Sequence, residues 1–332
     1  KKVLITGGAG YCGSVLIPQM LDMGYMVIVY DIQYYGCDFL PLENPNLTVI
    51  QGDIRDIEKL EPLMADVDAV LHLACISNDA SFELDENLST SVNIDAFEPI
   101  VLAAKKAGVK RFVFASTSSV YGISEEPNVK EDHPLVPLTL YNKFKGLCEP
   151  ILFKHTDKNF IGVVYRPATV CGYGPRQRLD LSVNILTNLA VNKGNITVFG
   201  GSQLRPNLHV QDYADLCKAL LEAPDEKIAN EIFNCGYENM SIMKIAETVK
   251  KVVAEEFPDK DEIGIEVTSS DDLRSYHINS DKVTEVIGFK PQYSVADAIR
   301  GLCQAFRKGK LPNSLDDDKY FNVRTMKKIG AS

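Results

Sequence analysis

Short runs dominated by apolar residues punctuate the first half of the chain: Lys2–Thr6, Met26–Tyr30, Thr48–Ile50, Ala69–Leu73, Arg111–Ala115 and Ile161–Tyr165. Between them lie stretches long enough to hold a helix. Runs rich in Val, Ile and Leu read as strands buried on both faces, and helix-length connections return the chain to start the next strand in the same direction. The pattern predicts βαβ units, hence an α/β protein with a Rossmann-type doubly wound parallel sheet. Pro18 falls inside the first helix, where it should kink the helix or confine its cost to one turn.

From about Gly174 the rhythm changes. Ser241 precedes Ile242, Ile245, Ala246, Val249, Val252 and Val253, which follow helical spacing. Ser280 opens a short helix that Gly288 and Pro291 close, and Ser294 with Asp297 forms a capping-box pattern ahead of Ile299, Leu302, Cys303 and Phe306. The chain therefore divides into residues 1–173 and a smaller, mainly helical lobe, residues 174–332. Some strands and helices of the lobe can return to the first region. No Ser/Gly linker or internal repeat separates the two, so the lobe should pack directly on the first region.

Composition narrows the partners. The chain has 332 residues, 45% hydrophobic and 24% charged, with a net charge of −10 and no Lys/Arg run. Such a surface offers a nucleic-acid backbone no electrostatic handle. No apolar stretch approaches the ~20 residues that span a bilayer, and Lys1–Ile5 leads into a glycine turn rather than a signal-peptide layout. None of the 8 cysteines forms a C-x-x-C pair. They read as small hydrophobes of a reduced, cytoplasmic protein, with no metal site.

Two segments carry chemistry. Lys2–Thr6 runs into glycines at 7, 10 and 13, and a second strand ends in Asp31, 18 residues beyond Gly13. Glycines let backbone approach a pyrophosphate, a helix N-terminus presents free N–H groups to it, and an acidic residue at that distance hydrogen-bonds the ribose. Asp31 would repel a 2′-phosphate, which favours NAD over NADP. Further on, Tyr141 and Lys145 stand four apart, on one face of a helix. A phenol with pKa near 10 is a poor base, but a nearby ammonium and a cationic nicotinamide both favour its phenolate. Strand Arg111–Ala115 delivers Ser116–Ser119 to a strand C-terminus, where ligands of open α/β sheets sit.

With these residues in place the chain resembles the extended short-chain dehydrogenase/reductases, in particular the NAD-dependent nucleotide-sugar epimerase/dehydratase group that includes UDP-glucose 4-epimerases. The resemblance spans nearly the whole length: the Gly7–Gly13 loop with Tyr11 and Cys12, Gly52-Asp53-Ile54-Arg55-Asp56, Leu71-His72-Leu73-Ala74, Val92-Asn93, Thr117…Tyr141…Lys145, Arg166-Pro167 and Arg205–Asp212. It implies that Thr117 hydrogen-bonds the reacting hydroxyl, Tyr141 takes its proton and Lys145 holds the nicotinamide ribose. Asp53 and Ile54 would edge the adenine, with Leu73, Ala74, Asn93 and Pro167 along the cofactor path. Arg205 would grip a substrate pyrophosphate, with Ser118, Ser119, Asn184 and Arg274 also on the substrate side. His209 reads as structural.

Departures from the family pattern sharpen the reading. The 4,6-dehydratases carry acidic residues at the two positions after the catalytic Thr, and the UDP-glucuronate decarboxylases carry Glu at the second; here they are Ser118 and Ser119. The expectation is therefore oxidation at a sugar C4 with return of the reducing equivalent, a 4-epimerase. The alternatives are a 4-dehydrogenase releasing a keto sugar and, in a different class, a non-catalytic NAD-binding regulator. Gly174–Asn184, together with Pro18, is similar to GDP-heptose 4-dehydrogenases of surface-polysaccharide pathways. Arg176 and Arg178 in that stretch face substrate phosphate or carboxylate, or are solvated loop charges; the sequence favours neither. The resemblance also implies a homodimer through helices around Asn93–Lys106 and Tyr141–Phe153, with Ile100, Val101, Leu147 and Ile151 as its apolar contacts.

Overall fold

The computed structural model describes residues 1–332. In chain order the strands are β1 (Lys2–Thr6), β2 (Met26–Asp31), β3 (Leu47–Gln51), β4 (Ala69–His72), β5 (Arg111–Ala115) and β6 (Ile161–Pro167). There follow β7 (Thr169–Cys171), β8 (Asn195–Phe199), β9 (Leu204–His209), β10 (Glu231–Cys235), β11 (Glu238–Ser241) and β12 (Gly264–Thr268). The main sheet has seven strands in the order β10-β6-β5-β4-β1-β2-β3. All its pairs are parallel, with Lys2 opposite Met26, Thr6 opposite His72 and Val163 opposite Glu231. The order reverses between β1 and β4, which opens a crevice at their C-terminal ends.

Helices cover both faces because the strands are apolar on both. On one side Leu16, Ile17 and Met20 of helix Tyr11–Asp22, with Leu216 and Leu220 of helix Val210–Glu222, share a core with Val3, Ile5, Val27 and Val29. On the other, Phe97, Ile100 and Val101 of helix Phe97–Lys106, with Cys148 and Leu152 of helix Leu140–Lys154, meet Phe112 and Phe114. Each such side chain contributes ~1.5–3 kcal/mol by leaving water. Helix Tyr11–Asp22 runs through Pro18 unbroken, so the proline costs one hydrogen bond within one turn.

Residues 174–332 are less purely helical than the pattern suggests. They contribute to two small sheets, β11-β9-β7 and β12-β8, and helices Ser182–Lys193, Ile242–Glu256 and Val295–Arg307 pack through Leu186, Ile245, Val249, Ile299 and Cys303. Strand β10 and helix Val210–Glu222 return to the main sheet. Ser241 accepts the Lys244 N–H as an N-cap, and Ser294 with Asp297 makes the full capping box. Ser280 differs: helix Asp281–Ile287 forms, but the Ser280 hydroxyl accepts the Gly236 N–H at 2.8 Å instead of capping it. His209 caps helix Val210–Glu222, its Nδ1 accepting the Gln211 N–H at 2.9 Å.

The dimer contacts named from sequence need correction. Ile100 and Val101 are 0% exposed, inside the second core layer of their own chain, and cannot meet a partner. The periodicity that makes a helix amphipathic marks the face turned to its own sheet. The outward faces of the same two helices carry Leu102 and Leu147, 45% and 44% exposed, while Ile151 is partly buried against the core. No helix is long and apolar enough to cross a membrane.

Candidate active site

The crevice between β1 and β4 widens into a cavity of about 1210 Å³ lined from the main sheet and the lobe together. A single drug-sized ligand fills ~300–1,000 Å³, so there is room for a dinucleotide and a second molecule.

The β1 end fits a dinucleotide. Gly7 has φ +72°, and a Cβ there would lie 2.6 Å from the Ala74 backbone, so only glycine lets the loop pass against the end of β4. At Gly13 a Cβ would sit 2.0 Å from the Gly8 carbonyl oxygen. Gly10 precedes helix Tyr11–Asp22 with no side-chain cap, which leaves the first N–H groups free for an anion. The Asp31 carboxylate accepts the Ala9 N–H at 3.0 Å and the Gln33 N–H at 2.7 Å, which aims it at this loop. Burial pushes its pKa up, offset in part by those two hydrogen bonds. Asp53, Ile54, Leu73, Ala74, Cys12, Tyr11 and Pro167 also line the cavity. Thr6 Oγ1 lies 2.7 Å from His72 Nδ1, and burial pushes His72 down to about 3, so this imidazole is a neutral core group.

Helix Leu140–Lys154 carries the next set at i, i+4 spacing: Tyr141, Lys145 and Glu149. Lys145 Nζ donates to the Ala115 carbonyl at 2.8 Å, and Ser116 Oγ donates to Glu149 Oε1 at 2.6 Å. The helix is thus fastened to the end of β5, where Thr117 lines the cavity together with Tyr141. Glu149 is in turn gripped by Arg166, Nε to Oε1 at 3.0 Å and Nη2 to Oε2 at 2.6 Å, both side chains 3% exposed.

The electrostatics at Tyr141 differ from expectation. Burial drives its pKa well above that of a free phenol, Cys75 and Asp79 push the same way, and the cation opposing them is Arg178. Lys145, by contrast, is anchored on the Ala115 carbonyl.

Arg176 and Arg178 are not solvated loop charges: they are 4% and 8% exposed. Arg178 forks onto Asp180, Nε to Oδ1 at 2.9 Å and Nη2 to Oδ2 at 3.2 Å, and Nη1 reaches Ser77 Oγ at 3.2 Å. Arg205 and Arg274 meet around one carboxylate. Asp272 Oδ2 accepts from Arg205 Nη2 at 2.8 Å and Arg274 Nη2 at 2.9 Å, while Arg274 Nη1 pairs with Asp79 at 2.5 Å. Against the upward push of burial, hydrogen bonds and charge from Arg274 and Arg205 hold Asp272 well below the usual carboxylate range.

Three residues named from sequence are not on the cavity wall. Asn93 is buried with its amide on the backbone of Ile76, Oδ1 accepting at 2.8 Å and Nδ2 donating at 3.0 Å, so it braces the loop after β4. Asn184 accepts the Gly172 N–H at 2.9 Å and donates to the Arg178 carbonyl at 2.9 Å. Ser118 is 1% exposed and hydrogen-bonds the Tyr276 hydroxyl at 3.1 Å; Ser119, which does line the cavity, meets the same hydroxyl at 3.2 Å. No local motif marks Tyr276, Asp272, Tyr35 or Asn322; each acquires its role from contacts across the fold.

The profile of the NAD dependent epimerase/dehydratase family matches residues 3–236. Over 305 residues the chain is 30% identical to the low-salt glycan biosynthesis protein Agl12 of Haloferax volcanii, covering 90% of this chain and 96% of that protein. It is 27% identical over 320 residues to the UDP-glucose 4-epimerase of Lactobacillus helveticus, 90% of this chain and 94% of the relative. Among solved structures, MoeE5 in complex with UDP-glucuronic acid and NAD aligns with a TM-score of 0.80 at 25% identity, over 93% of this chain and 100% of that one.

Proposed function

This chain belongs to the NAD dependent epimerase/dehydratase family and takes NAD as its cofactor, and from that premise we propose that it is a nucleotide-sugar 4-epimerase. The observation that carries the reading is the pair Ser118 and Ser119 beside Thr117, Tyr141 and Lys145, both hydroxyls engaged by Tyr276. Removing water from the sugar needs one group to take a carbon-bound proton and another to protonate the departing hydroxyl. A serine hydroxyl does neither near neutral pH. The remaining residues serve oxidation and re-reduction at one carbon.

In this reading the sugar lies across Thr117 and Tyr141 with its C4 hydroxyl against both. Tyr141, as phenolate, takes the hydroxyl proton, and Thr117 Oγ1 hydrogen-bonds the same oxygen. Bound NAD supplies the two-electron oxidation and, once reduced, the reverse of it. Lys145 keeps two N–H donors free after its bond to Ala115, and with them it would hold the nicotinamide ribose. Tyr141 then returns the proton after the keto sugar has presented its other face. Arg205 and Arg274 exchange Asp272 for the substrate diphosphate, a charge-assisted swap of one anion for another. The name of the Lactobacillus relative and the UDP sugar bound to MoeE5 support a nucleotide sugar as substrate. Leu102 and Leu147 are the apolar positions through which we place a homodimer, which light scattering at micromolar concentration tests.

Mass spectrometry of products from a panel of UDP-, GDP-, CDP- and dTDP-sugars tests the reaction. Unchanged mass with inverted C4 is expected. Loss of two hydrogens with stoichiometric NADH would make the chain a 4-dehydrogenase instead. A product 18 mass units lighter, or one that has lost its carboxyl group, would overturn both.

A further inference from the structure

Arg176 is a buried cation that no carboxylate pairs with directly; Asp31 and Asp180 act on it only through space. It is 4% exposed, its Nε has no hydrogen-bond partner, and it lines the cavity. Asp180, the nearest acidic residue in sequence, is taken by Arg178. The groups that hold Arg176 are neutral: its guanidinium stacks 3.8 Å from the centre of the Tyr35 ring, and Nη2 donates to Asn322 Oδ1 at 2.7 Å. Asn322 is itself fixed, its N–H donating to Asp180 at 3.0 Å and its Nδ2 to Ser77 Oγ at 3.2 Å. A buried charge lacking a direct counter-ion is unfavourable, so a site built to hold one in place is built for an anionic ligand. Burial, with the Arg178 charge behind it, lowers its pKa to about 10, which still leaves it charged at neutral pH.

Position selects the anion. The Arg176 N–H donates to Ser14 Oγ at 3.1 Å, in the helix that opens with the uncapped N–H groups after Gly10. A Cβ on Gly174 would touch Tyr11 and Val15 at 3.1 Å, so the segment lies directly against that helix start. Arg205 and Arg274 gather elsewhere on the wall, at Asp272 and Asp79. We propose that Arg176 binds the pyrophosphate of the dinucleotide, closing over it opposite the helix N-terminus, with Tyr35 and Asn322 as its positioning residues. This moves Arg176 from the substrate to the cofactor. It rests on NAD as cofactor and is independent of which sugar reaction follows.

Titration calorimetry on the full chain, freed of bound nucleotide, tests it with NAD, ADP-ribose, NADP and UDP as probes. Arg176→Gln should weaken NAD and ADP-ribose together by about 10–100-fold, the worth of a lost charge-assisted contact, and leave UDP within twofold. The nucleotide-free variant should melt no lower than wild type, because it loses an unpaired buried charge, while NAD raises its melting temperature less. Asn322→Ala, which keeps the cation but frees it, should weaken ADP-ribose by a smaller factor. Weakened UDP with unchanged NAD would make Arg176 a substrate ligand. Weakened NADP alone would move it to the 2′-phosphate. Unchanged affinity for every probe, or a lower melting temperature with intact NAD binding, would leave it structural. Each of these four results overturns the proposal.

Discussion

Glu149→Gln tests whether Tyr141, Lys145 and Glu149 act as one clamp on the end of β5. Glu149 Oε1 accepts from both Arg166 Nε and Ser116 Oγ, and Oε2 accepts from Arg166 Nη2 at 2.6 Å. Glutamine offers one oxygen and one NH₂, so on one side a donor faces a donor and Arg166 is left without its counter-charge. Breaking a buried pair from one side costs about 3–5 kcal/mol. At roughly 2–4 °C per kcal/mol, the melting temperature should fall by about 6–20 °C, toward the lower end for a chain of this size. Replacing both partners, Glu149→Leu with Arg166→Met, removes both buried charges and should recover much of that loss. Thermal melts of Glu149→Leu, of Arg166→Met and of the two combined give the coupling, expected at about 2 kcal/mol or more. Because Ser116 precedes Thr117, turnover of Glu149→Gln below its melting range should also fall. A single variant melting within about 2 °C of wild type, or strictly additive losses, would refute the clamp.

Tyr141→Phe should lose at least ~100-fold in turnover, the lower bound for a general base, with NAD affinity near wild type; turnover within a factor of a few of wild type would remove Tyr141 from the role. Since burial raises the Tyr141 pKa and the base must be ionised, kcat/KM should climb with pH through the neutral range and fall off on the acid side. Arg178→Gln removes the cation opposing that rise and should move the limb to higher pH, and an unmoved profile would contradict the assignment. Gly7→Ala forces a Cβ to 2.6 Å from the Ala74 backbone at a φ of +72°, so NAD binding measured by calorimetry should be lost or the chain should fail to fold. NADP is expected to bind more weakly than NAD because the Asp31 carboxylate, held beside the glycine loop, would repel a 2′-phosphate, and equal or tighter NADP binding in the same titration would sink that reading.

Local pattern by itself determined most of the main sheet, the glycine loop and the Tyr141–Lys145 pair, because each is encoded within a few residues. An apolar run has no polar face to expose, a glycine loop needs small residues at fixed offsets, and i, i+4 spacing puts two side chains on one helical face. Ser118 and Ser119 are different: as residues they are ordinary, and they read as missing carboxylates only through the resemblance to the dehydratases and decarboxylases. What local pattern could not decide was the partner of each group. Strand β10, Glu-Ile-Phe-Asn-Cys, shows little strand signal alone and exists because β6 leaves an edge to pair with. Ile100 and Val101 sit on an apolar stripe, but only the packed sheet reveals that the stripe is consumed within the chain. Arg176, Arg178, Arg205 and Arg274 are alike as residues. Tertiary structure separates them: Arg178 and Arg274 each have an aspartate two residues away, but Arg274 also reaches Asp79, Arg205 meets Asp272 only across the lobe, and Arg176 is held by Tyr35 and Asn322, contacts that no local period records.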